Sequence, residues 1–269
     1  MIIRLLKILI SVLYIITKKI TAVFGKTQDS QRCVVLYYHS VLESEKEKFI
    51  RQLNYLSNKY YFVSVNSPNV ITSKKNLISI TFDDGLSSIL KNALPELINR
   101  KIPTTIFIPA AKVGSYPRWE QKRQEIYYDD RILNQDEIKY LSDHGIDIGS
   151  HTLHHTDLKN VTSEDARKEF QLSKSLLEKI TRKEVVSFSF PYGSFNDELL
   201  TLAFDCGYSF VYTTEPERIS FPTIRKVIGR VGVDPDDHFL EFKLKAAGAY
   251  SWLPRISRWK AKVKNFTAF

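Results

Sequence analysis

A chain of 269 residues, 43% hydrophobic and 12% aromatic, is long enough for one α/β barrel or two small domains and too apolar to be disordered. Its net charge of +9 sits at the ends: residues 1–26 hold five basic and no acidic side chains, and residues 243–269 hold seven basic and none acidic. The stretch between is mildly acidic, which excludes a nucleic-acid binder with a basic folded face and leaves two ends suited to an anionic membrane surface.

Residues 1–26 are strongly apolar. The longest uncharged run, 8–17, is too short for a spanning helix, which needs ~20 residues. Ala22-Val23-Phe24 offers no small-residue cleavage site. At about 100° per residue, Arg4, Lys7, Lys18, Lys19 and Lys26 fall with Ser11 in an arc of roughly 120°, and most of the remainder is Ile, Leu and Val. That is the pattern of an in-plane interfacial helix. A tilted spanning helix with snorkelling lysines and a signal segment stay open as alternatives. Residues 27–32 read as a linker, and a single domain is expected over 33–245.

That domain opens with a strand over 33–38, CVVLYY, ending in His39. A helix is expected over 45–59 with Phe49, Leu53 and Leu56 on one face. Residues 78–86, ISITFDDGL, alternate apolar and polar side chains as a buried strand does, then run into Asp83-Asp84-Gly85. Neighbours on a strand point to opposite faces. At a strand end, with Gly85 freeing the backbone for a turn, both carboxylates can reach one site, one for a metal and one for a proton. A solvated turn is the plainer alternative. Helical spacing continues over 87–99, a strand over 104–108, and an aperiodic connection over 114–131 whose Trp119 and Tyr127 could stack on sugar rings or simply pack.

Asn134 is an N-cap candidate for a helix reaching His144. Residues 146–156, IDIGSHTLHHT, form a second strand running into a histidine cluster. His151 and His155 are four apart, the spacing that places two side chains on one side of a helical turn, and imidazole with carboxylate is a usual ligand set for catalytic zinc. A long helix follows over 162–180. Then come a strand over 185–190 ending at Pro191-Tyr192-Gly193, a helix over 196–206 stopped by Gly207, and a strand over 209–213. Cys33 and Cys206 make no disulfide framework and read as buried thiols. In the tail, 246–269, Trp252, Ile256, Trp259, Val263 and Phe266 form one apolar stripe flanked by basic residues. It reads as a basic amphipathic helix for a membrane surface, or as a helix packed on the domain. Strand and helix alternate throughout, which argues for a parallel α/β arrangement.

TFDDG, SHTLHH and FSFPYG, in that order, resemble the first three motifs of the polysaccharide deacetylases, the NodB-homology or family 4 carbohydrate esterases. LYYHS resembles the opening of the permuted subgroup that processes poly-N-acetylglucosamine. The resemblance covers about residues 34–244. It implies a distorted (β/α) barrel with fewer than eight repeats, flanked here by the apolar N-terminal and amphipathic C-terminal helices. It also implies a divalent metal held by Asp84, His151 and His155: zinc first, with cobalt, nickel or manganese as alternatives. Asp83 would be the general base, the Tyr192 backbone N–H would hold the oxyanion, and His39 would be the general acid. His154 would turn away, and Thr152 would hydrogen-bond within the histidine turn. Ser189 stands where many members carry an arginine that orients the base; Arg225 or Arg230 could replace it. The implied activity is removal of an N-acetyl group from an amino sugar in a cell-surface polysaccharide or its lipid-linked precursor, at a bacterial cell envelope. Removal of another acyl group from a sugar lipid, and an inactive membrane-attached glycan-binding protein, are the alternatives.

Overall fold

The computed structural model describes residues 2–24, 32–66, 76–119, 130–220 and 227–254. Seven parallel strands close into a barrel: β1 (Arg32–Tyr38), β3 (Asn76–Phe82), β4 (Thr104–Ile108), β5 (Asp147–Ser150), β6 (Ser187–Ser189), β7 (Phe210–Thr213) and β9 (Val227–Gly232), with β1 pairing both β3 and β9. β2 (Tyr60–Phe62) extends the sheet alongside β3, and β8 (Arg218–Ser220) runs antiparallel to β1. The expected barrel of fewer than eight repeats is the one observed.

The alternation seen in the sequence sorts side chains between two layers. Ile78, Ile80 and Phe82 join the main core between barrel and helices. Leu77 belongs to the smaller interior cluster with Cys33, Val35, Phe107, Tyr212 and Ile228. The interior-facing positions of β3 therefore read Leu77, Ser79, Thr81 and then Asp83, an apolar floor rising to a polar mouth.

The helices are α1 (Ile2–Phe24), α2 (Lys46–Lys59), α3 (Ser88–Asn92), α4 (Leu94–Asn99), α5 (Gln135–Asp143), α6 (Ser163–Thr181), α7 (Asp197–Asp205) and α8 (Phe239–Ala246). The capping residues act as their types predict. Asn134 accepts from Glu137 N while the Glu137 carboxylate accepts from Asn134 N, and Thr162 and Asn196 cap α6 and α7. The single helix expected over 87–99 is instead two short ones, because Pro95 at the start of α4 has no N–H to carry the ladder through. Both cysteines are free; Cys33 is buried and Cys206 only partly so.

α1 lies along α8, and the face of it that carries Ser11 with Ile8, Val12 and Ile15 packs on the domain. Arg4 Nε donates to Glu241 Oε2 at 2.5 Å, Ser11 accepts from Trp252 Nε1 at 3.0 Å, and the Tyr14 hydroxyl meets the Ser251 hydroxyl at 3.2 Å. Leu5, Leu6, Leu9, Leu13, Ile16 and Ile20 point the other way, each between 46% and 58% exposed. Among the described residues no helix is long and apolar enough to cross a membrane. Ala249 and Tyr250, past the end of α8, are buried in the main core. Of the apolar stripe expected in the tail, only Trp252 lies within the described residues.

Candidate active site

The motif residues converge at the C-terminal ends of the strands. Asp83 N donates to Tyr38 O at 2.9 Å, binding the end of β3 to the end of β1 and setting His39 beside the two carboxylates. Asp84 departs from the strand with φ 67°, followed by Gly85 at 62°. This left-handed step is what turns two chain neighbours, which would otherwise diverge, toward one pocket.

The histidines reach the same place by a route the sequence did not show. His151 and His155 do not share a helical turn: Thr152 (φ 66°) and His155 (φ 64°) are both left-handed, and the segment is an irregular loop. Thr152 Oγ1 accepts from Thr156 N at 3.1 Å, closing the turn as expected. The Glu169 carboxylate, for which nothing in the sequence argued, accepts from Leu153 N, His154 N and His154 Nδ1 at 2.8, 3.0 and 2.7 Å. His154 is thereby held out of the pocket.

What remains inside is a three-atom constellation. Asp84 Oδ1 lies 3.1 Å from His155 Nε2 and 3.5 Å from His151 Nε2, and this buried oxygen has no hydrogen-bond partner among the described residues. His151 Nδ1 donates to Ser189 O at 2.8 Å, and His155 Nδ1 meets the Tyr192 hydroxyl at 3.2 Å. Fixing each Nδ1 in this way aims the Nε2 lone pairs at Asp84, the outer support that metal-ligating histidines require. Burial pushes the His151 imidazole down to about 4, so it is neutral and able to ligate at neutral pH. Burial alone would raise the Asp84 carboxyl, but the His155 imidazole 3.1 Å away, with His39 and His151 behind it, outweighs burial and holds the group well below the usual carboxylate range. The donor set of one carboxylate and two imidazoles, with an orphaned oxygen at its centre, fits a divalent cation.

Asp83 has a different partner. Arg230, fully buried on β9, donates from Nη1 to Asp83 Oδ1 at 2.7 Å and from Nη2 to Oδ2 at 2.8 Å. Nη1 also reaches Thr81 Oγ1 at 3.0 Å, and Nη2 reaches Ser189 Oγ at 2.6 Å. Ser189 thus accepts from the guanidinium whose counterpart it replaces. Arg225, the other candidate, lies outside the described residues, as does Tyr127. Burial raises the Asp83 carboxyl, but Arg230, with smaller help from His151 and His39, brings it below its ordinary value. Asp83 is therefore ionised, locked in orientation by Arg230, and outside the Asp84-His151-His155 cluster.

Tyr192 occupies the turn after β6 with φ 59° and ψ 3°, and its ring is exposed at the mouth. Gly193 follows at φ 63°; a Cβ there would sit 1.8 Å from Thr214 Oγ1. Trp119 stacks on His155 with ring centroids 4.2 Å apart, so it packs on a predicted ligand. His39, half-buried, touches the Tyr37 ring edge-on and lies close enough that its charge lowers the pKa of both Asp83 and Asp84.

A barrel whose strand ends carry an Asp-His-His cluster beside an arginine-held carboxylate has the groups that an amide hydrolase uses. The chain belongs to the polysaccharide deacetylase family, whose model matches residues 71–211. It is thereby a hydrolase of amide bonds in N-acetylated sugars. It is 26% identical over 226 residues to YxkH of Bacillus subtilis, whose name places it among the polysaccharide deacetylases; the match covers 80% of this chain and 76% of that one. It is 25% identical over 204 residues to the poly-β-1,6-N-acetyl-D-glucosamine N-deacetylase of Staphylococcus aureus, covering 72% of this chain and 64% of that protein. The solved structure of IcaB from Ammonifex degensii superposes with a TM-score of 0.68 at 25% identity, covering 82% of this chain and 97% of that one.

Proposed function

We propose that the protein is a zinc-dependent N-deacetylase of an N-acetylglucosamine-type polymer, working at a membrane surface. The observation that carries the reading is the division of labour between adjacent carboxylates: Asp84 faces two imidazole nitrogens with an unpartnered oxygen, while both oxygens of Asp83 are taken by Arg230.

Asp84, His151 and His155 would hold the ion, which when bound supplies Lewis acidity to the amide carbonyl and acidifies the attacking water. Asp83 accepts that water's proton, and the Arg230 fork keeps its carboxylate in one orientation throughout. The backbone N–H of Tyr192 donates to the oxygen that becomes negatively charged as the carbonyl carbon turns tetrahedral. His39, across the mouth from the histidine turn, delivers a proton to the departing sugar amine. Named relatives that act on poly-β-1,6-N-acetyl-D-glucosamine support the choice of substrate class.

Membrane association is supported by α1, whose Arg4 and Ser11 are bound to the domain and whose outward ridge from Leu5 to Ile20 is aliphatic. A helix so arranged seats the barrel on a bilayer without spanning it, and favours a membrane-proximal or lipid-linked glycan as substrate.

Acetate release from poly-N-acetylglucosamine oligomers and from a lipid-linked N-acetyl sugar, by zinc-loaded protein, tests the assignment. Zinc-dependent release from either substrate supports it, and the faster substrate names the target. Zinc binding with no acyl group released from any substrate would instead make the protein a glycan-binding relative on the same fold.

A further inference from the structure

At the opposite end of the barrel from the catalytic mouth, a cavity of about 280 Å³ lies between the C-terminal half of α1 and the starts of β1 and β3. Its wall is divided. Ile15, Val34 and Leu77 form an apolar side, and Lys18, Arg32 and Arg218 bring three cations to it, with no carboxylate among its described lining residues. Arg32 and Arg218 are forced together by the sheet: β1 pairs antiparallel with β8 so that Val34 is opposite Arg218, leaving Arg32 its diagonal neighbour.

Two guanidinium groups held side by side repel each other. Arg218 Nε is buried without a hydrogen-bond partner. Burial first and the charge of Arg32 second lower the Arg218 pKa. Nor can Arg218 swing freely away, because its stem lies against Gly248, where a Cβ would meet Arg218 Cγ at 2.5 Å. Glu215, Glu217 and Asp197 line the adjoining larger cavity, which shares Lys18, Arg32 and Arg218 with this one. A pinned, half-buried arginine with an orphaned donor, flanked by two further cations and an apolar wall, is arranged for an anion carrying a hydrocarbon part.

We propose that this cavity binds a phosphate group, the phosphate seated on Lys18, Arg32 and Arg218 and its organic portion against Ile15, Val34 and Leu77. The source is either a phospholipid headgroup reached along α1 or a free phosphate. The site is independent of the deacetylase reading, since none of its residues touches the catalytic constellation.

Titration calorimetry of the full chain decides it, with dihexanoyl phosphatidic acid and inorganic phosphate as separate probes and Arg218→Gln and Lys18→Gln as variants. The expected result is saturable binding that Arg218→Gln weakens about tenfold or more, as loss of a hydrogen bond to a charged group predicts. Tighter binding of the phosphatidate identifies a lipid headgroup as the source, and equal binding identifies free phosphate. Lys18→Gln alters an exposed helix position and leaves the barrel intact, so its weakened binding is the deciding result if Arg218→Gln does not fold. Failure of both probes to bind, or binding indifferent to both substitutions, would overturn the proposal.

Discussion

Asp83 and Asp84 are adjacent in the chain yet open on one pocket with different partners, Arg230 for the first and two imidazoles for the second, because one backbone step into the left-handed region turns both toward it. Asp83→Asn is expected to keep the Arg230 environment and the metal ligands while lowering turnover by about 10²–10⁴-fold, the range for loss of a general base; steady-state acetate release on a metal-replete variant measures it. Arg230→Gln strips the fork from a buried carboxylate and is expected to cost about 3–5 kcal/mol in denaturant unfolding, as breaking a buried ion pair does. Tyr192→Phe keeps the turn but removes the hydroxyl from His155 Nδ1, so metal affinity should fall roughly 10–100-fold, read by competition with a chromogenic chelator. The carboxylates and histidines were legible in the sequence because their types and motif order announce them. Arg230 stood only as one of two candidates, since 147 positions separate it from Asp83 and barrel closure alone brings them together. Glu169 and the Tyr192 hydroxyl left no signal, because each acts through a contact that neither period nor spacing encodes.

At the scale of elements, the site is built from strained turns set on regular strands. Asp84, Thr152, His155 and Tyr192 all hold positive φ without being glycine, a concentration expected where the surrounding structure must fix a catalytic geometry. Gly193→Ala would add a Cβ against Thr214 in the left-handed region, so it should destabilise the fold by at least about 1 kcal/mol and displace Tyr192; thermal unfolding with acetate release in parallel separates the two effects. The helical-turn reading of His151 and His155 failed because a four-residue spacing can also be closed by left-handed residues. α1 shows a related limit. The sequence defined its basic arc, but an arc does not say which way it faces, and here Arg4 and Ser11 are turned inward to Glu241 and Trp252. Replacing Leu9 and Leu13 with glutamate should therefore leave stability within about 0.5 kcal/mol, as exposed substitutions do, while abolishing co-sedimentation with anionic vesicles.

At the scale of the molecule, alternation of strand and helix gave the barrel class, and the motif positions gave the end at which chemistry occurs. Pairing order did not follow from the pattern: β1 lies between β3 and β9, which carries the early His39 to the same mouth as residues much later in the chain. The closed barrel thus gathers an arginine-held carboxylate, an Asp-His-His cluster and a third histidine around one opening. In the proposed division of labour, the Asp84-His151-His155 cluster binds one ion and Asp83 does the proton transfer. Zinc titration of metal-stripped wild type and Asp83→Asn, with acetate release followed in the same samples, tests it most directly. The expected result is one ion bound by each protein and release by the wild type alone. Equal turnover by Asp83→Asn, or undiminished zinc binding after Asp84→Ala, would contradict it.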